Sequence, residues 1–347
     1  MGLERPADGP DLHRQQRQLP DDDPGHHAAR HIRVGVAPPG GLGVPADVRA
    51  PGGVLQPPAV LRPGSAGGFR QVVLRFRVVT WNIRAAIGPG EPFPPAWWRH
   101  VRVDRLERLA AYITDLDADV VTLQEVTIMT VDGAVHDQPA ELARMTGLHA
   151  RYGAVHSFPL IEPEDDRPSR VHRGPGGSSA TPLARGSAMW GNAILTREPI
   201  EGGYTLGLPR AADDDLVKPA DAAHELAGVR YADAEPGHRE PRCVVGGTVG
   251  GVAVATTHLT YIGREQRRRQ AEAMLAVVSR QDGPAIVTGD LNAPIDTSEL
   301  AVLRDGFDDA FVAVGIPEGD DRRRSCGPWS IDHILVRGFE VISCRVA

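Results

Sequence analysis

Ala285-Ile286-Val287-Thr288-Gly289-Asp290-Leu291-Asn292-Ala293 is the stretch that decides how the rest of the chain is read. Four strand-forming residues run into a tight turn that carries a carboxylate and a carboxamide two positions apart. A buried apolar run stopping at glycine marks the end of an inner strand, and Gly289 lets the backbone turn sharply or come close to a ligand. Side chains two apart on an extended chain point the same way, so Asp290 and Asn292 share a side if the strand conformation persists through the turn. One can take a proton from water while the other donates a hydrogen bond to an anionic oxygen. Gly-Asp also opens ordinary turns, so the motif acquires meaning only from its partners.

Those partners lie at the ends of other apolar runs. Working outward, strand 76–83 ends on Asn82, strand 119–126 on Glu125, and strand 187–196 carries Asn192. Strands 242–248 and 252–258 form a hairpin through Gly250-Gly251 and deliver His258, while strand 331–336 carries Asp332 and is followed by strand 340–345. Helical periodicity falls between them. A helix opening at Asp104 places Leu106, Leu109, Ala110, Ile113 and Leu116 on one face. Helix 264–280 turns Ala271, Met274, Leu275 and Val278 to the core and leaves Arg267, Arg268 and Arg269 on a solvated face. Strands alternating with helices give a layered α/β sandwich.

Composition narrows the classes. The chain has 347 residues, 41% hydrophobic and 24% charged, which is the balance of a soluble globular protein able to bury a large core. A net charge of -7 and a single lysine, Lys218, argue against general polyanion binding. Cys243, Cys326 and Cys344 are too few and too scattered for a disulfide framework or a thiolate metal site, so a reducing, cytoplasmic setting is expected; separately, the chain is expected to be a monomer. No run reaches the ~18 apolar residues needed to span a membrane. Residues 1–70 are rich in Pro, Gly and Arg without sustained periodicity, and read as a disordered leader that need not be native coding sequence. His26, His27 and His31 within it have no partnering carboxylate and read as ordinary polar residues. Segments 159–186 and 209–239 read as surface inserts; the second holds the acidic triplet Asp213-Asp214-Asp215, a solvated charge run. The remainder, 71–347, forms one domain.

Taken in order, Thr80-Trp81-Asn82-Ile83, Leu123-Gln124-Glu125-Val126, Gly191-Asn192-Ala193-Ile194-Leu195, Thr257-His258-Leu259, Gly289-Asp290-Leu291-Asn292-Ala293 and Ile331-Asp332-His333-Ile334 resemble the endonuclease/exonuclease/phosphatase superfamily. This is the DNase I-like and exonuclease III-like group of metal-dependent phosphoesterases. The resemblance implies a four-layer sandwich of two packed mixed β-sheets flanked by helices. It further implies Mg²⁺ or Mn²⁺ held by Glu125 with Asn82 as neutral companion, and Asp290 orienting or deprotonating water. Asn292 and His258 would bind the phosphate as it reacts, Asn192 would contact substrate, and Asp332 would buttress a histidine.

One element of the pattern is absent. The resemblance implies a closing Ser-Asp-His strand about 10 to 15 residues beyond the Asp332 motif, and the sequence given stops at Ala347 without it. His333 is a poor substitute, since adjacent strand residues face opposite ways. The expectation is a sandwich lacking its last strand, with an exposed edge and impaired chemistry, from a truncated reading frame or a degenerate protein. The substrate is a phosphoester: a small molecule, a lipid head group or nucleic acid, with the acidic charge tilting toward the first two. Endonuclease or exonuclease action, supported by Arg170, Arg173 and Arg185, is the alternative within the class. A catalytically inactive binding or scaffold protein is the alternative outside it.

Overall fold

A computed structural model of the chain describes residues 30–35, 75–88, 97–101, 103–161, 184–212 and 239–346. Along it the strands are β1 (Arg30–Gly35), β2 (Arg75–Asn82), β3 (Val120–Val131), β4 (Ala134–Asp137), β5 (His149–Ile161), β6 (Ala184–Thr196) and β7 (Glu201–Gly207). They continue with β8 (Cys243–Val249), β9 (Val252–His258), β10 (Ala285–Asp290), β11 (Asp308–Asp309), β12 (Asp332–Arg337) and β13 (Glu340–Val346). One sheet runs β13-β1-β2-β3-β6-β5, with β4 paired to β3; the other runs β11-β12-β10-β9-β8-β7. Each is mixed, because β2 with β3 and β9 with β10 are parallel among antiparallel neighbours.

Helices cover both outer faces, as the four-layer expectation requires. Leu106, Leu109, Ala110 and Ile113 of the helix Val103–Asp115 pack on Val79, Val121, Leu123, Ala193 and Leu195. Across the molecule, Ala271, Met274 and Val278 of the helix Arg264–Val278 pack on Val244, Ala255, Val287 and Leu335. Between the sheets Val78, Val120 and Ile194 meet Val245, Val254, Ile286, Ile334 and Val336. Each such side chain, fully buried, contributes roughly 1.5–3 kcal/mol.

The inter-sheet faces of the central strands change character along their length, and this positions the site. Val78-Thr80-Asn82, Val120-Thr122-Gln124, Val254-Thr256-His258 and Ile286-Thr288-Asp290 each climb from an aliphatic residue through a hydroxyl to a polar or ionisable group. The middle tier bonds one sheet to the other. Gln124 Nε2 donates to Thr80 Oγ1 at 3.2 Å and to Thr256 Oγ1 at 3.0 Å, and Thr288 Oγ1 donates to Thr122 Oγ1 at 2.8 Å. These buried bonds fix the separation of the sheets directly beneath the site.

Several expectations are corrected. Arg30–Gly35, inside the stretch read as a disordered leader, is a strand inserted between β13 and β2, so β2 is paired on both sides and has no bare edge. Its Ile32 and Val34 keep the strand period, but over only six residues set in Pro/Gly-rich sequence. Arg267 is not solvated: it shares a helix face with Gln270, Ala271 and Met274, is fully buried, and its Nη2 lies 3.1 Å from Glu299 Oε1. Strand β3 continues past Glu125 to a hairpin at Asp132-Gly133, both with positive φ, a turn signal the sequence reading did not use. Much of the two inserts, including the acidic triplet and Lys218, lies outside the described residues, as do His26, His27, Arg170 and Arg173. Arg185 faces Asp132, at 3.3 Å.

Candidate active site

A cleft of about 500 Å³ opens above the threonine tier, with Glu125, His258, Asp290 and Asn292 at its floor. Asp290 and His258 are register partners on adjacent parallel strands, so their side chains leave the sheet side by side. His258 Nε2 lies 3.6 Å from Asp290 Oδ2, and His258 Nδ1 lies 3.9 Å from Glu125 Oε1. Asn82 arrives from the other sheet. Its Nδ2 donates to Glu125 Oε1 at 2.8 Å and to Asp290 Oδ2 at 3.2 Å, so one amide group holds two carboxylates from different sheets.

Glu125 reaches the cleft through a backbone irregularity. Leu123 pairs with Ala193 and Val126 with Gly191, so Gln124 and Glu125 together oppose Asn192 in a β-bulge. Strict alternation would send Glu125 to the helix-covered side with Leu123. Instead Leu123 and Val126 share that side, and both Gln124 and Glu125 turn toward the opposing sheet. Glu125 has φ 56°, a left-handed conformation that costs a residue with a side chain on the order of 1–3 kcal/mol.

The turn after β10 is not extended. Asn292 adopts φ 52°, and its backbone N–H donates to Asp290 Oδ1 at 3.0 Å, closing an Asx turn. Asp290 and Asn292 still share the cleft because this turn, and not a continuing strand, folds them together. Asn292 Nδ2 also donates to Leu259 O at 2.9 Å, pinning the loop that follows His258. The same loop is held from below by Gln270, whose Oε1 accepts from Thr260 N at 2.9 Å, and by Arg267 Nη1, which donates to Thr260 O at 3.3 Å. Gly289 has φ 141°, a conformation that residues with a side chain rarely adopt, and a Cβ there would lie 2.0 Å from Thr257 O, so both its backbone and the close approach of β10 to β9 require glycine.

The other expected residues sit beside the cleft. Asp332 is register partner of Asp290 on β12 and wholly buried, with its N–H donating to Ser325 Oγ at 3.2 Å. His333 faces away from it, its Nε2 2.9 Å from Ala293 O and its Nδ1 3.5 Å from Asp309. Asn192, expected to contact substrate, is buried outside the cleft lining, and its Nδ2 donates to Cys243 O at 3.3 Å, tying β6 to β8. Burial pushes the neighbouring Cys243 thiol up to about 12, so it remains protonated. Asn82 offers less oxygen than expected: its Oδ1 accepts the Arg84 N–H at 3.1 Å, and its NH₂ faces the carboxylates.

With this arrangement in hand, comparison decides the lineage: the sequence profile of the Endonuclease/Exonuclease/phosphatase family matches residues 79–347. The chain belongs to this family. Members of the endonuclease/exonuclease/phosphatase family are generally hydrolytic phosphoesterases that depend on a divalent metal. Among solved structures, the chain is similar to an endonuclease/exonuclease/phosphatase from Beutenbergia cavernae, at 21% identity and TM-score 0.46, covering 75% of this chain and 64% of that one. The present chain therefore spans less than two thirds of that relative's length. It is also similar to the human nocturnin catalytic domain, at 16% identity and TM-score 0.44, over 75% and 82% of the two chains. Caenorhabditis elegans TDP2 follows at 17% identity and TM-score 0.41, over 75% and 63%. Comparison with curated proteins returns no match. No helix among the described residues is long and apolar enough to cross a membrane.

This family member's cleft also has walls that sequence reasoning missed. Trp97, Phe158 and Trp190 form one side, with His156 beside them, and Arg242, Glu240 and Tyr261 also line the cleft. Trp190 lies two residues from Asn192 in β6, a spacing that could have drawn attention to it; Arg242 carries no such signal among many arginines.

Proposed function

We propose that this protein hydrolyses a phosphoester bond with the help of Mg²⁺ or Mn²⁺. The observation that carries the reading is the single Asn82 amide spanning Glu125 and Asp290, with His258 between them, at the floor of an open cleft. Among the described residues no group of three or more His, Cys, Asp or Glu is arranged to hold a metal alone. Two facing carboxylates nevertheless fit Mg²⁺, which is commonly bound through one or two carboxylates while water and phosphate oxygens complete its octahedron. When bound at Glu125, the cation supplies neutralisation of the phosphate oxygens and polarisation of the phosphorus.

The chain's own residues do the rest. Asp290 is 1% exposed, and the Asn292 N–H and Asn82 amide fix its two oxygens, so it is oriented to take a proton from an attacking water. His258, its ring nitrogens 3.6 Å from Asp290 Oδ2 and 3.9 Å from Glu125 Oε1, lines the same cleft and can donate to a developing oxyanion or to the leaving oxygen. Asn292 has one amide hydrogen committed to Leu259 and a second to offer the phosphate.

Hydrolysis of bis-p-nitrophenyl phosphate with Mg²⁺, with and without chelator, tests this. The expected result is metal-dependent turnover that falls at least ~100-fold in Glu125→Ala. Turnover indifferent to chelator or to Glu125→Ala would leave the fold as a binding scaffold.

A further inference from the structure

One side of the cleft is built for something other than phosphate. Trp97 and Trp190 meet edge to face at 5.2 Å, Trp97 and Phe158 at 6.3 Å, and the His156 ring lies over Phe158 at 5.1 Å with 31° between planes. Trp190, Phe158 and His156 are only partly buried, so ring surface faces the cleft. Aliphatic or aryl ligands alone would satisfy that surface. They would not satisfy the polar atoms set into it.

Arg242 lines the same cleft with its side chain 5% exposed; its Nη2 is 2.7 Å from Glu240 Oε2, and its Nε is buried without a hydrogen-bond partner. His156 Nδ1 is likewise buried without one. A buried donor or acceptor left unmatched costs on the order of 1–3 kcal/mol, so a ligand that pairs both atoms is favoured strongly over an isostere that pairs neither. Burial lowers the His156 pKa, opposed by Glu240 and assisted by Arg242 and Arg210, which keeps the ring neutral with one donor and one acceptor nitrogen.

We propose that Trp97, Phe158 and Trp190, with His156 and Arg242, form a subsite for a planar heterocycle bearing hydrogen-bond acceptors, a nucleobase, on a nucleotide-sized phosphoester. Rings stack on the aromatic wall, and the base edge pairs with Arg242 Nε and His156 Nδ1. The chain's net charge of -7 favours one nucleotide over a polymer. This inference rests on the phosphoesterase reading for the position of the phosphate, but it is tested by binding, which needs no turnover.

The experiment titrates the full chain in Mg²⁺ and follows tryptophan fluorescence with adenosine 5′-monophosphate, ribose 5-phosphate, phenyl phosphate and a single-stranded oligoadenylate. The mononucleotide is expected to bind at least tenfold more tightly than ribose 5-phosphate and than phenyl phosphate, and Trp190→Leu and His156→Phe are each expected to shrink that margin several-fold. These comparisons between ligands on wild-type protein stand even if a variant fails to fold. Equal binding of ribose 5-phosphate overturns the stacking wall, and equal binding of phenyl phosphate overturns recognition of a heterocycle edge. An oligoadenylate binding tenfold tighter than the mononucleotide overturns the nucleotide-sized ligand. Base-dependent binding without hydrolysis of any phosphoester would fail the catalytic reading and leave the subsite standing.

Discussion

Gly289 is required twice over. Its φ of 141° is one that residues with a side chain rarely adopt, and Thr257 O lies where such a side chain would begin. Gly289→Ala must push β10 from β9, and a loss of about 3 kcal/mol or more is expected in urea unfolding, with the Asp290 and His258 pair displaced. A change under about 0.5 kcal/mol would contradict the packing argument. Asp309 makes a second prediction. Burial acts to raise its pKa, but the His333 imidazole 3.5 Å away, the Arg323 guanidinium and the Val312 N–H outweigh it and hold the carboxyl at about 2, below the ordinary 3.8. A carboxylate depressed on folding contributes stability that is full above its unfolded pKa and is lost as pH falls through the folded one. The stability difference between wild type and Asp309→Asn, on the order of 2 kcal/mol, is therefore expected to hold from neutral pH to about 4 and to shrink toward pH 2. A difference that stays constant down to that pH would rule the ion network out as its source. Of the single residues, Asp290, Glu125 and His258 were legible as strand-end polar groups. Arg267 was not, because three successive arginines look alike until the Ala271 and Met274 face is known to include the first.

At the scale of elements, every strand expected to carry a site group exists, since apolar runs closing on Gly, Asn or His leave few alternatives, although β3 runs on past Glu125 to Val131. What periodicity could not show is a break in itself. The bulge at Gln124-Glu125 reverses the side to which Glu125 points, and no propensity marks it in advance. Strict alternation alone would aim this carboxylate at the helices, and it was the family resemblance that assigned Glu125 to the site. Strand β1 was missed for the opposite reason: its pairing partners, β13 and β2, are both remote, so only tertiary contact makes six residues into a strand. A variant lacking residues 1–70 is accordingly expected to melt lower than the full chain, by roughly 5 °C or more, because β2 and β13 each lose a ladder. An unchanged melting temperature would mean that β1 contributes nothing to the sheet and would restore the leader reading.

For the whole molecule, the family resemblance carried by six ordered motifs foretold the two-sheet sandwich, and four of the residues it pointed to, Glu125, His258, Asp290 and Asn292, line one cleft. The tiers explain why: one inter-sheet space is aliphatic deep down, hydroxylated midway and ionisable at its mouth, so folding the core also assembles the chemistry. The aromatic wall was invisible at this scale, because Trp97, Phe158 and Trp190 come from separate segments that meet only in the fold. Hydrolysis assays can be misled by traces of other phosphatases, whereas metal affinity belongs to the chain itself. The most direct measurement is therefore Mn²⁺ binding followed by loss of the free-ion paramagnetic resonance signal, for wild type and Glu125→Gln. Saturable binding that weakens at least tenfold in the variant is the result expected from a cation gripped where the sheets converge. Equal affinity in the two proteins would contradict it.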